Sequence, residues 1–290
     1  MSGREKFAVF TIDVETFSDT GCLYEAGIKV AEDMLDGLDE YIRILERYGI
    51  KATMFTVCEA AQIARDAIAD YIRRGHKLAV HGLDHTAPLD MNDEQFWRQT
   101  KEAKARLEEM FGVTVRGFRA PFFSLDNRKL EILRSLGFQY DASRTEFGGA
   151  RHGGRMDMSD FAQLLAGMFR QNGFYECGIS CQKMFGQMMP ISGGGYTRLM
   201  NWMFLKPVIR KYLAMSDYYV FYLHPFELSH RTAPHIKGLR SYDRYYLTRG
   251  LSVFPDRIVS IIEMLKEEGY RFVTFEELVD IMESRRVGAW

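Results

Sequence analysis

Lys77-Leu78-Ala79-Val80-His81-Gly82-Leu83-Asp84-His85 is a short apolar run that ends on a histidine, with a second histidine four residues later. The run has the length of a buried strand, and Gly82 stands where such a strand must break into a turn. In parallel α/β proteins chemistry collects at the carboxyl ends of strands, because the loops there converge on one mouth. Two imidazoles at that edge could share a divalent ion if the turn curls His85 back beside His81. The plainer reading makes His81 a hydrogen-bonded core histidine and His85 a loop residue. The question turns on what ends the other strands.

Working outward, Phe7-Ala8-Val9-Phe10-Thr11-Ile12 is a near-continuous apolar run, as expected of a strand buried on both faces, and it stops at Asp13-Val14-Glu15. A helix from about Asp36 to Tyr48 with Gly49 after it, the strand Ala52–Val57, and a helix through Ile63, Ile68 and Ile72 closing at Gly75 lead to the opening stretch. Asn92 with Gln95 three positions on predicts a capped helix running to Phe111. Val113–Val115 leads a strand into Arg119-Ala120-Pro121-Phe122, and Phe138–Tyr140 is a strand finishing at Asp141. Tyr218–Leu223 is another buried strand, ending on His224-Pro225. Strand and helix alternate at intervals of roughly 25 to 35 residues, the rhythm of successive βαβ units, and the seven or eight strand candidates suggest a closed or nearly closed barrel. Residues 144–198 and 226–252 break the rhythm and read as loop-rich insertions in a single domain covering 1–290.

The chain has 290 residues, 47% hydrophobic and 13% aromatic, enough for a large core. A net charge of −1 without a charged tail argues against a nucleic-acid binder. No Gly-x-Gly-x-x-Gly follows the first strand, and the triplet Gly193-Gly194-Gly195 does not open a phosphate loop. The start, Met1–Lys6, lacks the apolar core of a secretory signal, and no segment approaches the length of a membrane span. Cys22, Cys58, Cys177 and Cys181 are scattered and read as reduced thiols, so the expected location is cytoplasmic.

Ionisable groups therefore end five apolar runs: Asp13 and Glu15, His81 and His85, Arg119, Asp141, and His224. Packing alone accounts poorly for that, since each buried group needs a partner or water. A carboxylate with two imidazoles and open positions suits hydrolytic zinc or another first-row ion, which would acidify water and polarise a carbonyl.

In order and spacing, Asp13-Val14-Glu15, His81-x3-His85, Arg119-Ala120-Pro121-Phe122, Asp141 and Leu223-His224-Pro225 resemble the motifs of the polysaccharide deacetylases (NodB homology, carbohydrate esterase family 4). Ser192–Tyr196 and His224-Pro225-Phe226-Glu227 resemble the branch found in exopolysaccharide and lipid-linked glycan gene sets. The resemblance runs from Phe7 to about Glu283. It implies a distorted (β/α)7 barrel and metal-dependent hydrolysis of an N-acyl group, usually acetyl, from an amino sugar. By position, Asp13 becomes the general base, and Glu15, His81 and His85 the ligands of a divalent metal, zinc first. Arg119 holds Asp13, His224 is the general acid, and Asp141 orients or tunes His224.

This sequence has Glu15 where many members have aspartate, which opens the question of metal preference. It also lacks their tryptophan after Asp141. Phe122 and Tyr196 are expected to line the sugar site, since aromatic faces pack on pyranose rings, although core packing would use them as well. His152, His230 and His235 lie in polar loops and read as solvated. Leu199–Leu205, followed by Lys206, Arg210 and Lys211, reads as a core helix or as a helix leaning on the inner face of a membrane beside a lipid-carried substrate. The substrate is an amino sugar carried on a nucleotide, a lipid or an oligosaccharide, with no protein partner predictable. The rival readings are a hydrolase of small cyclic amides or ureides and a catalytically silent sugar-binding protein.

Overall fold

The computed structural model describes residues 5–146, 156–184 and 186–287. In the first strand, β1 (Lys6–Val14), every residue after Lys6 is buried, because the strand has neighbours on both edges and layers on both faces. The remaining strands are β2 (Ala52–Thr56), β3 (Lys77–Val80), β4 (Gly117–Phe118), β5 (Tyr140–Asp141), β6 (Ala162–Leu165), β7 (Met168–Gln171), β8 (Phe174–Cys177), β9 (Cys181–Met184), β10 (Gln187–Pro190), β11 (Tyr218–Leu223) and β12 (Tyr270–Phe272). The helices are α1 (Gly21–Glu25), α2 (Gly37–Glu46), α3 (Cys58–Ile63), α4 (Arg65–Arg73), α5 (Asp93–Phe111), α6 (Asn127–Ser135), α7 (Gly194–Leu199), α8 (Trp202–Met215), α9 (Ser241–Thr248), α10 (Phe254–Glu267) and α11 (Phe275–Val287).

The main sheet runs β11-β1-β2-β3-β4-β5-β8-β7-β6. Pairing is parallel from β11 through β8, and β7 and β6 add an antiparallel meander. This curled sheet with helices outside it is a distorted (β/α) barrel. β1 pairs with β11 along Phe7–Ile12, with β2 along Phe10–Val14 and with β12 along Lys6–Ala8. Among the described residues no ladder joins β8 to β11. The segment between Gly178 and Gly193 bridges them through single bonds: Val220 N–H to Ser180 Oγ (3.0 Å), Tyr222 N–H to Ser192 O (3.1 Å) and Tyr219 Oη to Ile191 O (3.1 Å).

The two-residue period of a strand sorts β1 into two faces. Ala8, Phe10, Ile12 and Val14 join the outer core with α2, α5, α8 and α10. Phe7 and Val9 face the barrel interior with Phe55, Tyr140, Tyr175 and Tyr218, where Phe275, Leu278 and Val279 of α11 close the end away from the mouth. Thr11, Asp13 and Glu15 continue that inner row upward, which is why a buried strand ends in two carboxylates on the same side.

The Asn92–Gln95 capping box is present, with Gly112 left-handed after α5 (φ 66°). Other expectations need correction. Residues 144–198 contribute β6 to β10, and β8 within them is a barrel strand. The helix expected through Ile63 and Ile72 is two helices, α3 and α4. The run Leu199–Leu205 divides at Asn201, whose side chain accepts from Met203 N–H and starts α8. The excursion 226–252 contains α9. No helix among the described residues is long and apolar enough to cross a membrane.

Candidate active site

Glu15, His81 and His85 converge at the mouth, all buried, with one ligand atom from each within 4.8 Å of the others. Gly82 makes this possible. Its φ is +103°, and a Cβ there would lie 2.4 Å from the Asp84 carbonyl, so only glycine lets the chain fold His85 back. His81 Nδ1 sits 2.8 Å from the Arg119 carbonyl. A carbonyl only accepts, so Nδ1 carries the proton and Nε2 keeps its lone pair. That lone pair faces Glu15 Oε2 at 3.6 Å, and His85 Nε2 lies 2.6 Å from the same oxygen. Glu15 Oε2 is buried and makes no hydrogen bond of ordinary geometry. Two imidazole nitrogens meeting a buried carboxylate oxygen that has no other partner form a ligand set that fits a divalent first-row cation. Burial alone would raise the Glu15 carboxyl, but the charges of His85 and His224 hold it well below the usual carboxylate range.

Asp13 lies one step down the inner row. Arg119 Nη1 donates to its Oδ1 at 2.6 Å and to Thr11 Oγ1 at 2.9 Å, while Arg119 Nε donates to the Ala142 carbonyl at 3.0 Å. The guanidinium lies 4.0 Å from the centre of the Phe55 ring.

His224, at the end of β11, has Nε2 3.9 Å from Glu15 Oε1. Burial lowers its pKa, but Glu15, Glu227 and Asp13 outweigh this and raise it to about 9. The resemblance gave Asp141 the task of orienting this ring, and the structure gives Asp141 other partners. Its carboxylate accepts from Ser143 N–H (2.9 Å) and Ser143 Oγ (2.7 Å), and it stands opposite Glu176 in the β5–β8 ladder. Burial of the two acids raises Asp141 to about 6 and Glu176 further. The carboxylate beside His224 Nδ1 is that of Glu227, at 3.3 Å. Glu227 had no role in the sequence reading. Its signal was a cap residue with glutamate three positions on, the same capping-box spacing that located α5.

A cavity of about 280 Å³ opens over these groups, lined by Asp13, Glu15, His81, His85 and His224 and walled by Phe122, Tyr196, Tyr222 and Tyr246. Phe122 and Phe123 both take left-handed backbone angles (φ 58° and 56°), a strained pairing for non-glycine residues. It is held because the Phe122 ring packs edge-on to His85 (4.5 Å) and the Phe123 ring to Tyr222 (5.2 Å). Neither Arg119 nor Asp141 reaches the cavity wall. His230 pairs with Glu40 on an exposed loop, and His152 lies outside the described residues.

Residues 31–140 match the polysaccharide deacetylase family, and residues 149–280 match a domain of unknown function, DUF3473. A peptidoglycan deacetylase of Helicobacter pylori is 23% identical over 107 residues, 37% of this chain and 36% of that protein, so the chain spans about a third of the length of this relative. A polysaccharide deacetylase structure from Mycobacterium smegmatis superposes with a TM-score of 0.63 at 16% identity, covering 99% of this chain and 93% of that one. An allantoinase structure gives 0.61 at 15% identity, covering 97% and 91%. At such identities the structures report the fold alone, and the family match speaks for residues 31–140. Over residues 31–140 the chain thus matches the polysaccharide deacetylase family, and the whole chain shares the fold of the Mycobacterium smegmatis structure.

Proposed function

We propose that the protein is a divalent-metal-dependent hydrolase that removes an N-acyl group, acetyl first, from an amino sugar during glycan assembly. The observation that carries this reading is the convergence of Glu15, His81 and His85 beside a buried aspartate and a partly open histidine. Glu15, His81 and His85 would hold the ion, zinc before others. When bound, the ion supplies positive charge that acidifies water and stabilises an oxyanion. Asp13, fixed by Arg119, takes the proton of the attacking water. His224 gives a proton to the departing amine, which leaves poorly without one. Phe122 and Tyr196 would pack against the sugar ring.

We extend the proposal to the setting. The four cysteines are free thiols, in keeping with a cytoplasmic protein. On α8, Met203 (86% exposed) and Met215 (80%) stand in solvent with Phe204 beside Lys206, Arg210 and Lys211, and the helix has no acidic residue. An apolar and basic surface of this kind suits the headgroup layer of a membrane carrying a lipid-linked substrate.

The test is mass spectrometry of nucleotide-linked, lipid-linked and oligosaccharide amino sugars after incubation with the zinc-loaded protein. Loss of an acetyl or formyl mass is the expected result. Sugar binding without acyl release would favour the silent binder, and ring opening of a ureide would move the site to cyclic amides.

A further inference from the structure

The glycine triplet that no phosphate loop explains lies against the acid side of the site. A Cβ on Gly194 would fall 2.1 Å from Glu227 Oε2, so glycine is what admits this carboxylate. Glu227 is sealed from solvent, and so is Arg198 on α7, whose Nε donates to Glu227 Oε1 at 2.7 Å. Arg198 is itself fixed, with Nη1 donating to the Arg249 carbonyl at 2.7 Å and its guanidinium 4.8 Å from the centre of the Tyr246 ring. One carboxylate oxygen is therefore committed to the guanidinium. The other, Oε2, accepts from the His224 backbone N–H at 3.1 Å and faces His224 Nδ1 at 3.3 Å. An ionised carboxylate has no proton to offer, so Nδ1 is the donor. Nε2 is then the ring atom turned toward Glu15 and the cavity.

We propose that Glu227, clamped by Arg198 and admitted by Gly194, is the positioning residue of His224, fixing the ring with Nδ1–H on Oε2 and Nε2 presented to the substrate. The identity of that substrate rests on the deacylase reading; the ring geometry does not. The task that the resemblance assigns to Asp141 is carried here by a residue three positions beyond the histidine, and Asp141 is engaged with Ser143 and Glu176 instead.

The test combines proton NMR of the full-length protein with steady-state kinetics on a short N-acetylglucosamine oligosaccharide. The low-field Nδ1–H resonance of His224, assigned by its loss in His224→Gln, should persist in Asp141→Asn and vanish in the double variant Arg198→Met/Glu227→Met. Replacing both charges by apolar side chains avoids stranding one of them in the core. Arg198→Met/Glu227→Gln keeps an amide oxygen as acceptor and should restore the resonance. In the double methionine variant kcat should fall by about 10²-fold or more with KM little changed, and the glutamine variant should recover part of it. Persistence of the resonance without Glu227, or its loss in Asp141→Asn, overturns the proposal. The resonance needs no turnover, so failure of the deacylase reading alone would leave the predicted NMR pattern intact.

Discussion

Arg119 Nη1 donates to Asp13 Oδ1 at 2.6 Å with both side chains sealed from solvent. The Arg119 carbonyl meanwhile accepts from His81 Nδ1 at 2.8 Å. One residue thus fixes a proposed base through its side chain and a proposed ligand through its backbone. Arg119→Met strands the Asp13 charge and should cost about 3–5 kcal/mol. Adding Asp13→Asn should recover much of that loss, as read from urea midpoints of the two variants.

Asp13→Asn should cut acyl release by ~10²–10⁴-fold while zinc content, measured by elemental analysis, stays near one per chain. His85→Ala should lose both the activity and the metal. A metal-free wild type with full activity would contradict the ligand set.

The buried Asp141–Glu176 pair has a definite pH signature. Both folded-state values are raised by burial, Asp141 to about 6. Folding therefore binds protons over this range, and the pair's contribution is full below about pH 4, the unfolded carboxyl value. It is lost as pH rises through the folded values. Glu15 and Glu227 work in the opposite sense, with stability lost as pH falls, but wild type and Glu176→Gln share them. The melting temperature of Glu176→Gln minus that of wild type should accordingly grow between about pH 4 and pH 7. A flat difference would show that the two acids do not share a proton.

Gly194→Ala drives a methyl group to 2.1 Å from the Glu227 carboxylate, whose other oxygen is already fixed by Arg198. Overpacking of this kind typically costs ~1–3 kcal/mol. Gly195→Ala meets only the Tyr246 ring edge at 3.1 Å and should cost less. Thermal melts of the two variants would rank them.

Liposome flotation addresses α8. Wild type should float with anionic vesicles, and Met203→Glu/Phe204→Glu should stay at the bottom, with catalysis on a soluble oligosaccharide unchanged. Equal flotation of the two proteins would remove the membrane contact.

The barrel was legible in the sequence because its central strands are apolar on both faces and end abruptly. Phe7–Ile12, Ala52–Val57 and Tyr218–Leu223 could hardly be anything else, and the residues just past the first and the third, Asp13, Glu15 and His224, are among those that the fold gathers. β4 and β5 are two residues long, so the runs Val113–Val115 and Phe138–Tyr140 mark them only to within a few residues of Gly117–Phe118 and Tyr140–Asp141. In the glycine- and methionine-rich stretch only Phe174-Tyr175-Glu176, within β8, reads as strand-like, because antiparallel strands of four residues such as β6, β7, β9 and β10 leave almost no pattern. Asp141 shows a different limit. A carboxylate at a strand end announces that it needs a partner, but not which one, and Glu176 on the adjacent strand is 35 residues further along the chain. Glu227 and Arg198 had the converse problem: a charged pair separated by 28 intervening residues looks like ordinary surface until α7 is seen beneath the mouth.

Among the described residues no ladder closes β8 onto β11, which gives the wall one compliant arc. Everywhere else backbone amides hoop the cylinder, so its girth there is set. Between Gly178 and Gly193 the described links are single bonds through the Ser180 and Tyr219 hydroxyls and the Tyr222 amide, which stretch more cheaply than a ladder. Ile179 and Pro190 stand on that arc and also face the cavity. A broader ligand would therefore be admitted by yielding on this side, while Asp13 and His81, on strands laced along both edges, keep their places.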